Sequence, residues 1–468
     1  MDMTYDLIVV GAGSAGLTAA GFAVRLGAKV ALVEKHRIGG DCTWTGCVPS
    51  KALLKAAKVA HDVRTAGLYG ITAAPPVTDM AKVRQYVRAA IQSVYQWERP
   101  EDLQSQGIDI VLGEAKFLNA SSIVVNGREL NARHILLTTG AKPLIPGVAG
   151  LRDVPYLTYE QIFDVDRLPR TLVVMGGGPI GLEIAQAYQR LGSSVTVIAE
   201  RILPKEEPET AETLERVLQR EGVRFVRGKA TSARRDGDAI VVGTADEEAR
   251  GELLLVATGR APSVEGLDLE KAGVQVTAKG IPVDDHLRTN VKNIYAAGDV
   301  TGGFQFTHFA GWQAFQAIRN ALLPGSSSGF SDLVPWVTFT DPEVAHVGMT
   351  EARAREQFGD AVTVCRREMS RVDRAVCEND TGGFIKLVVK HDGTLAGATI
   401  VGARAGEAIT EIVVAMKHSM KLTDLAGAIH AYPTYSTPIQ QMAADLAIEH
   451  LLSGTTGKIL LGVSKMIR

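Results

Sequence analysis

The spacing Gly-x-Gly-x-x-Gly occurs twice, 165 positions apart, and each time between two short apolar runs that read as parallel strands. In the first copy the run Asp6-Leu7-Ile8-Val9-Val10 leads into Gly11, Gly13 and Gly16. An Ala- and Leu-rich helix pattern then reaches Leu26, Gly27 stops it, and Lys29 to Val33 reads as a second strand ending in Glu34. A strand, a glycine turn, a helix and a strand within about 30 residues make one dinucleotide-binding βαβ unit. Gly11 permits the tight turn, Gly13 lets backbone approach a pyrophosphate, and Gly16 allows close helix–strand packing. The helix N-terminus then offers unpaired N–H groups to phosphate, and Glu34 is expected to accept hydrogen bonds from an adenosine ribose. The second copy runs from Thr171–Met175 through Gly176, Gly178 and Gly181, along a helix to Leu191 and into a strand at Ser194–Ile198. Its acid is displaced: seven residues after Gly27 stands Glu34, whereas seven after Gly192 stands Ala199, followed by Glu200 and Arg201. A carboxylate there suits a free ribose 2′-hydroxyl and an arginine suits a 2′-phosphate. Adjacent strand residues point opposite ways, so NADH and NADPH both stay open.

Two further strands close on Thr-Gly turns, Ile135-Leu136-Leu137-Thr138-Thr139-Gly140 and Leu254-Leu255-Val256-Ala257-Thr258-Gly259, and a third, Ile294 to Ala297, ends in Gly298-Asp299. Pro324-Gly325-Ser326-Ser327-Ser328-Gly329 reads as a flexible link. Beyond it, strands such as Leu387-Val388-Val389 and a helix over Glu407 to Leu422 suggest an α+β domain. At 468 residues the chain is long enough for roughly three domains. A net charge of −2 and a pI near 6.6 leave no electrostatic footprint for nucleic acid. No apolar stretch of 18 residues occurs, so no membrane span is expected. The strand pattern begins near Tyr5, so no signal peptide is expected and the location is expected to be cytoplasmic.

The segment Gly39-Gly40-Asp41-Cys42-Thr43-Trp44-Thr45-Gly46-Cys47-Val48-Pro49-Ser50-Lys51 holds two of the four cysteines. Five residues apart is not zinc spacing, and no His/Cys cluster stands nearby, so no metal site is expected. Concentrated cysteines in a non-secreted chain point to redox work. Pro49 can open the helix that carries Lys51, which puts Cys47 at that helix's positive end and favours its thiolate. Cys365 and Cys377, far away, read as ordinary thiols.

With these motifs in place, the chain resembles the FAD-dependent pyridine nucleotide–disulfide oxidoreductases, among them dihydrolipoamide dehydrogenase, glutathione reductase and mercuric reductase. The resemblance rests on the Cys42–Cys47 segment, Gly176-Gly177-Gly178-Pro179-Ile180-Gly181-Leu182-Glu183, Ala257-Thr258-Gly259-Arg260, Ala296-Ala297-Gly298-Asp299, and Phe339 to Gly348. It implies an α/β fold with two Rossmann-like domains plus a C-terminal α+β dimerisation domain. The expected segments are 1–150 (FAD-binding, first part), 151–272 (NAD(P)-binding), 273–328 (FAD-binding and central, second part) and 329–468 (dimerisation). The first glycine unit would hold FAD, and the second NADH or NADPH. Electrons would pass through FAD to a Cys42–Cys47 redox disulfide, with Cys47 the flavin-side thiol and Cys42 the outer thiol facing the acceptor. Asp299 would bind the flavin ribityl chain, Lys51 would lie near flavin N5 paired with Glu183, and His308 lies in a segment resembling a flavin-contacting one. The implied catalytic set is Cys42, Cys47, Lys51, Glu183 and Tyr432. The cofactor-binding set is Gly11, Gly13, Gly16, Glu34, Gly40, Gly140, Gly176, Gly178, Gly181, Glu200, Arg201, Gly259, Asp299 and His308.

The sequence departs from the thiol-exchanging members near its C-terminus. They carry His-Pro-Thr, with a Glu five residues after the His, as the acid–base pair. Here the run is His430-Ala431-Tyr432-Pro433-Thr434-Tyr435-Ser436-Thr437. Tyr432 takes the His position, Thr437 takes the Glu position, and His430 stands two residues early. A tyrosine with an ordinary pKa near 10 is a poor base at neutral pH. The expectation is an NAD(P)H oxidoreductase whose acceptor is a metal ion, quinone or small disulfide. Mercuric reductase, a dihydrolipoamide dehydrogenase-like enzyme and a redox-sensing flavoprotein without turnover are the alternatives. The final residues Gly462 to Arg468 carry no cysteine pair of the kind that delivers Hg(II) in mercuric reductases. A homodimer is expected, with the Tyr432 segment of one subunit over the disulfide of the other.

Overall fold

The computed structural model describes residues 5–453 and, beyond them, residues 457, 459, 462, 463, 466 and 467; of the final segment from Gly462, residues 464, 465 and 468 lie outside these. The chain divides into two compact units, Met1–Arg201 with Gly222–Ser331, and Ile202–Glu221 with Asp332–Arg468.

In the first unit both glycine units fold as read. Strand Tyr5–Val10 pairs in parallel with Val30–Glu34 on one side and Arg128–Leu137 on the other. Ile108–Leu112 extends the sheet beyond Val30–Glu34, and Ile294–Ala296 joins Arg128–Leu137 in parallel. Alternate residues of the central strand serve opposite layers, as a sheet buried on both faces requires. Leu7 and Val9 pack with Ala19, Ala23, Ala314 and Ala317, whereas Ile8 and Val10 pack with Ile135, Leu137 and Ile294. Helices Ser14–Arg25 and Thr307–Leu322 thus share one face, with Phe22 stacked on Phe315. The second glycine unit lies in a four-stranded parallel sheet in the order Arg224–Arg227, Ser194–Ala199, Thr171–Met175, Leu253–Val256.

The second unit is an antiparallel sheet in the order Trp336–Thr338, Glu343–Gly348, Leu395–Gly402, Phe384–Val389, Thr363–Glu368. Its core includes Ile409 and Ile412 of helix Ala405–Lys417 and Ile439 and Met442 of helix Thr437–Ser453. Helix Pro208–Arg220 belongs to this unit too. Lys386, its side chain 5% exposed, holds it through Glu207 at 3.0 Å and Glu209 at 2.7 Å, with Glu351 at 2.8 Å. A buried ammonium needs such partners to stay charged.

Two local expectations change. The helix read over Glu407 to Leu422 spans Ala405–Lys417, because Ser419 turns to a φ of 52° just beyond it. The Pro324–Gly329 link is stitched down rather than loose. Asn320 accepts from Ser327 N–H at 2.8 Å and donates to Ser327 C=O at 2.8 Å, while Gly329 N–H donates to Asp285 C=O at 2.7 Å. Polar side chains reaching back from the preceding helix do what composition alone does not reveal.

Candidate active site

The two glycine loops have the same steric logic. A Cβ on Gly11 (φ +104°) would lie 2.4 Å from Thr138 O, and one on Gly176 (φ +124°) 2.3 Å from Ala257 O. A Cβ on Gly16 would lie 1.9 Å from Gly11 O, and one on Gly181 2.2 Å from Gly176 O. Only glycine fits such places. Above Gly178 lies open space, and a Cβ on Gly13 would meet only Gly40 Cα, at 3.8 Å. The middle glycines therefore leave a backbone face that a pyrophosphate can approach, which is the fit a dinucleotide requires.

Glu34, at the end of its strand and 9% exposed, accepts from Ala12 N–H at 2.8 Å and from His36 N–H at 2.7 Å. Each carboxylate oxygen retains a further lone pair for a ribose hydroxyl. At the matching place in the second unit Ala199 is buried, and Glu200 and Arg201 lie exposed beyond the strand. Gly140 and Gly259 both take positive φ, at +69° and +138°, each just before one strand of the antiparallel pair Ala141–Pro143 with Arg260–Pro262. Asp299 stands in the turn after strand Ile294–Ala296 and pairs with Arg260 Nη1 at 2.8 Å. Arg260 also grips Asp41, next to Cys42, and Tyr159 donates to the same Asp41 oxygen at 3.2 Å. One guanidinium thus ties the cysteine loop to the Asp299 turn. His308 is exposed, its ring stacked on Phe306 at 5.5 Å.

Cys42 rides a short helix, Gly40–Trp44, and Cys47 is the first residue of helix Cys47–Thr65, two positions earlier than Pro49 suggested. Both are free thiols, Cys47 exposed and Cys42 half-buried. Thr307 Oγ1, at the start of helix Thr307–Leu322, lies 3.3 Å from Cys47 Sγ. Cys47 therefore faces the positive ends of two helices. The hydrogen bond from Cys42 draws the Cys47 pKa down; burial opposes, and Thr307 and Lys51 add to the lowering, leaving it at about 6. The same hydrogen bond, with burial, pushes the Cys42 thiol up. The negative charge of the reduced pair thus rests on Cys47. Lys51 Nζ donates to Glu183 Oε2 at 2.9 Å and to Ser50 Oγ at 3.2 Å, with the Glu183 side chain 7% exposed.

In the second unit, Tyr432 is exposed and donates its phenolic proton to Asp373 Oδ2 at 2.5 Å, which raises its pKa. Tyr435, by contrast, is buried and donates to Glu378 at 2.9 Å. Thr437 is turned inward and donates to Ala431 C=O at 2.9 Å. His430 has Glu411 Oε1 2.8 Å from Nε2 and Ala428 C=O 2.9 Å from Nδ1. Carboxylate and carbonyl both accept, so each ring nitrogen carries a proton and the imidazole is held as its cation. Burial opposes that charge, but the two acceptors outweigh it and raise the pKa. Beside Tyr432 lies a recess of about 250 Å³ lined by Arg371, Asp373, Arg374, Pro433 and Gln441 among others.

Sequence reasoning missed Thr307, the Arg260 clamp, Asp373 and Glu411. Each acts across 19 to 260 positions of chain, and no local spacing announces such a pairing.

A parallel two-unit nucleotide fold with a thiol pair at a helix start defines a class, and residues 5–314 match the pyridine nucleotide-disulphide oxidoreductase family, with residues 334–443 matching its dimerisation domain. The chain belongs to this family of flavoprotein enzymes, which work with FAD and NAD(P)H. It is 35% identical to a mercuric reductase of Bacillus cereus over 92% of this chain and 69% of that one. To a dihydrolipoyl dehydrogenase of Thermus scotoductus it is also 35% identical, over 95% and 97%. Among solved structures, the HOCl-induced flavoprotein disulfide reductase RclA of Escherichia coli superposes with a TM-score of 0.85 at 28% identity, over 94% of this chain and 99% of that chain. A Cu(II) complex of RclA matches at 0.84. Among the described residues no helix is long and apolar enough to cross a membrane.

Proposed function

We propose that this enzyme uses NAD(P)H to reduce a thiophilic metal ion held by the thiolates of Cys42 and Cys47. Gly11, Gly13, Gly16, Gly40, Glu34, Gly140, Asp299 and His308 would hold FAD, and Gly176, Gly178, Gly181, Gly259, Glu200 and Arg201 the nicotinamide nucleotide. Bound FAD supplies two-electron exchange between the nicotinamide and the sulfur pair. Lys51, paired with Glu183 at 2.9 Å, stabilises the Cys47 thiolate, while Cys42 meets the acceptor. In the homodimer we infer, the Tyr432 loop of one protomer covers the sulfur pair of its partner.

The observation that carries the metal is the state of that loop. Disulfides and quinones each take two electrons and two protons, so their reduction wants a proton carrier at the acceptor. A metal ion does not: NAD(P)H + Hg(II) gives NAD(P)⁺ + H⁺ + Hg(0), and NAD(P)H + 2 Cu(II) gives NAD(P)⁺ + H⁺ + 2 Cu(I). His430 is fully hydrogen-bonded as a cation, Thr437 is turned inward, and Tyr432 has committed its proton to Asp373. None of these three is poised to exchange a proton with an acceptor. Two soft thiolates are good ligands for such an ion, and the similarity to mercuric reductases supports the same reading. The test is anaerobic NAD(P)H oxidation by holoenzyme with Hg(II) in excess thiol, Cu(II), glutathione disulfide, lipoamide and quinones. The metals should outpace the others by about a hundredfold or more, the low end of what an acid–base group is worth; faster turnover of a disulfide or quinone would overturn the proposal.

A further inference from the structure

We propose that Asp373 is a positioning residue for the acceptor reaction: by taking the phenolic proton of Tyr432 it turns the phenol oxygen's lone pairs outward, so that Tyr432 meets the acceptor as an electron-pair donor. This rests on the reading of Tyr432 as an acceptor-side residue. A phenol O–H has one proton and two lone pairs. With the proton spent on a carboxylate, which can only accept, what remains on the oxygen is acceptor capacity. Such an oxygen favours a cation and offers nothing to a leaving thiolate or a quinone oxygen, both of which ask for a proton.

The geometry makes this arrangement firm. Asp373 opens the short helix Asp373–Cys377, and Tyr432, which lines the same recess, donates to it at 2.5 Å. The loop behind Tyr432 is knotted: Thr434 and Thr437 hydroxyls both donate to Ala431 C=O at 2.9 Å, and Thr434 and Thr437 exchange backbone-to-hydroxyl bonds at 3.3 Å. His430 braces the preceding turn through Glu411 and Ala428. With the loop pinned on both flanks, the direction of the phenol oxygen is set by its partner. Arg374, the neighbouring cation in the recess, is engaged by Glu378 and leaves Asp373 to Tyr432.

The test compares Asp373→Asn, Asp373→Glu, Tyr432→Phe and the double variant Asp373→Asn/Tyr432→Phe in FAD-loaded enzyme, with Hg(II) in excess thiol and with a small aromatic disulfide as acceptors. Asp373→Asn is expected to lower kcat/KM for the metal about tenfold, the range found when a group that orients a ligand is removed. Asp373→Glu should recover part of it. Flavin reduction by NAD(P)H and disulfide turnover should stay within about twofold in Asp373→Asn and Asp373→Glu, and the double variant should lose no more metal turnover than Tyr432→Phe alone, as residues acting through one contact do. Additive losses, or an Asp373→Asn enzyme with unchanged metal turnover beside an impaired Tyr432→Phe enzyme, would overturn the role of Asp373. An unimpaired Tyr432→Phe enzyme would instead remove Tyr432 from the reaction and take the proposed acceptor-side loop with it.

Discussion

The two glycine loops of the first unit are near copies in backbone and opposites at the strand end. A Cβ added to Gly11 or Gly176 would lie within 2.4 Å of a carbonyl oxygen, and one added to Gly16 or Gly181 would strike the carbonyl of the loop's first glycine. Yet one loop is closed by a buried Glu34 bound to two backbone N–H groups, while the other ends in a buried Ala199 with Glu200 and Arg201 free in solvent. The shared part is excluded volume and tolerates nothing but glycine. On the assignment proposed above, the differing part would decide how tightly and how selectively each site holds its nucleotide. A resident cofactor suits the loop with a built-in acceptor; a nucleotide that must come and go suits the open one.

The comparison can be broken most directly at its shared glycines. Gly11→Ala should yield protein without flavin, seen as loss of visible absorption after purification. Gly176→Ala should keep the flavin and lose its reduction by NAD(P)H in an anaerobic titration. If both variants behave alike, the two loops do not divide the labour as proposed. Next in size, Glu34→Ala strips the acceptor from the buried Ala12 N–H, which costs about 1–3 kcal/mol of stability, and from the His36 N–H nearer solvent; the melting temperature and flavin retention should both fall, whereas Glu200→Ala should change neither.

The sulfur pair follows only the first loop, and its asymmetry is measurable in turn. With the Cys47 pKa lowered to about 6, alkylation by iodoacetamide should rise through that pH and level off above 7, with modification mapping to Cys47. Removing a helper raises the pKa, so Thr307→Val and Lys51→Met should each move the midpoint upward. A midpoint near the ordinary thiol value in the unmodified protein would contradict the charge assignment. In the two-electron-reduced holoenzyme, Cys47→Ser should abolish the long-wavelength thiolate–flavin absorption and Cys42→Ser should not. Smallest of all, Arg201→Ala should weaken NADPH more than NADH by only a few-fold, the size of an exposed charge contact of about 0.2–1 kcal/mol.

Much of this was readable along the chain. Strand Thr171–Met175 and the helix end at Leu191 fall where the residues placed them, because an apolar run of five can only be a buried strand beside a glycine turn, and Gly192 stops the helix at a φ of +120°. The sulfur pair stood out because two cysteines before a Pro-opened helix are a local pattern. Thr307 did not, since 260 residues separate it from Cys47. Nor did the stitched Pro324–Gly329 segment, whose glycines and serines look the same free or bound.

Sequence alone determined what depends on neighbours in the chain: where a glycine lets the backbone turn left-handed, which runs form strands and helices, and which thiols lie near a helix start. The Lys51–Glu183 pair was already implied by the family resemblance, but tertiary structure alone decided the other meetings of carboxylate with cation or phenol: Arg260 for Asp41 and Asp299, Asp373 for Tyr432, Glu411 for His430. The reason is physical. Steric exclusion acts over a few bonds and leaves its mark in residue type, whereas a hydrogen bond between distant segments exists only once the fold has brought both ends within 3 Å.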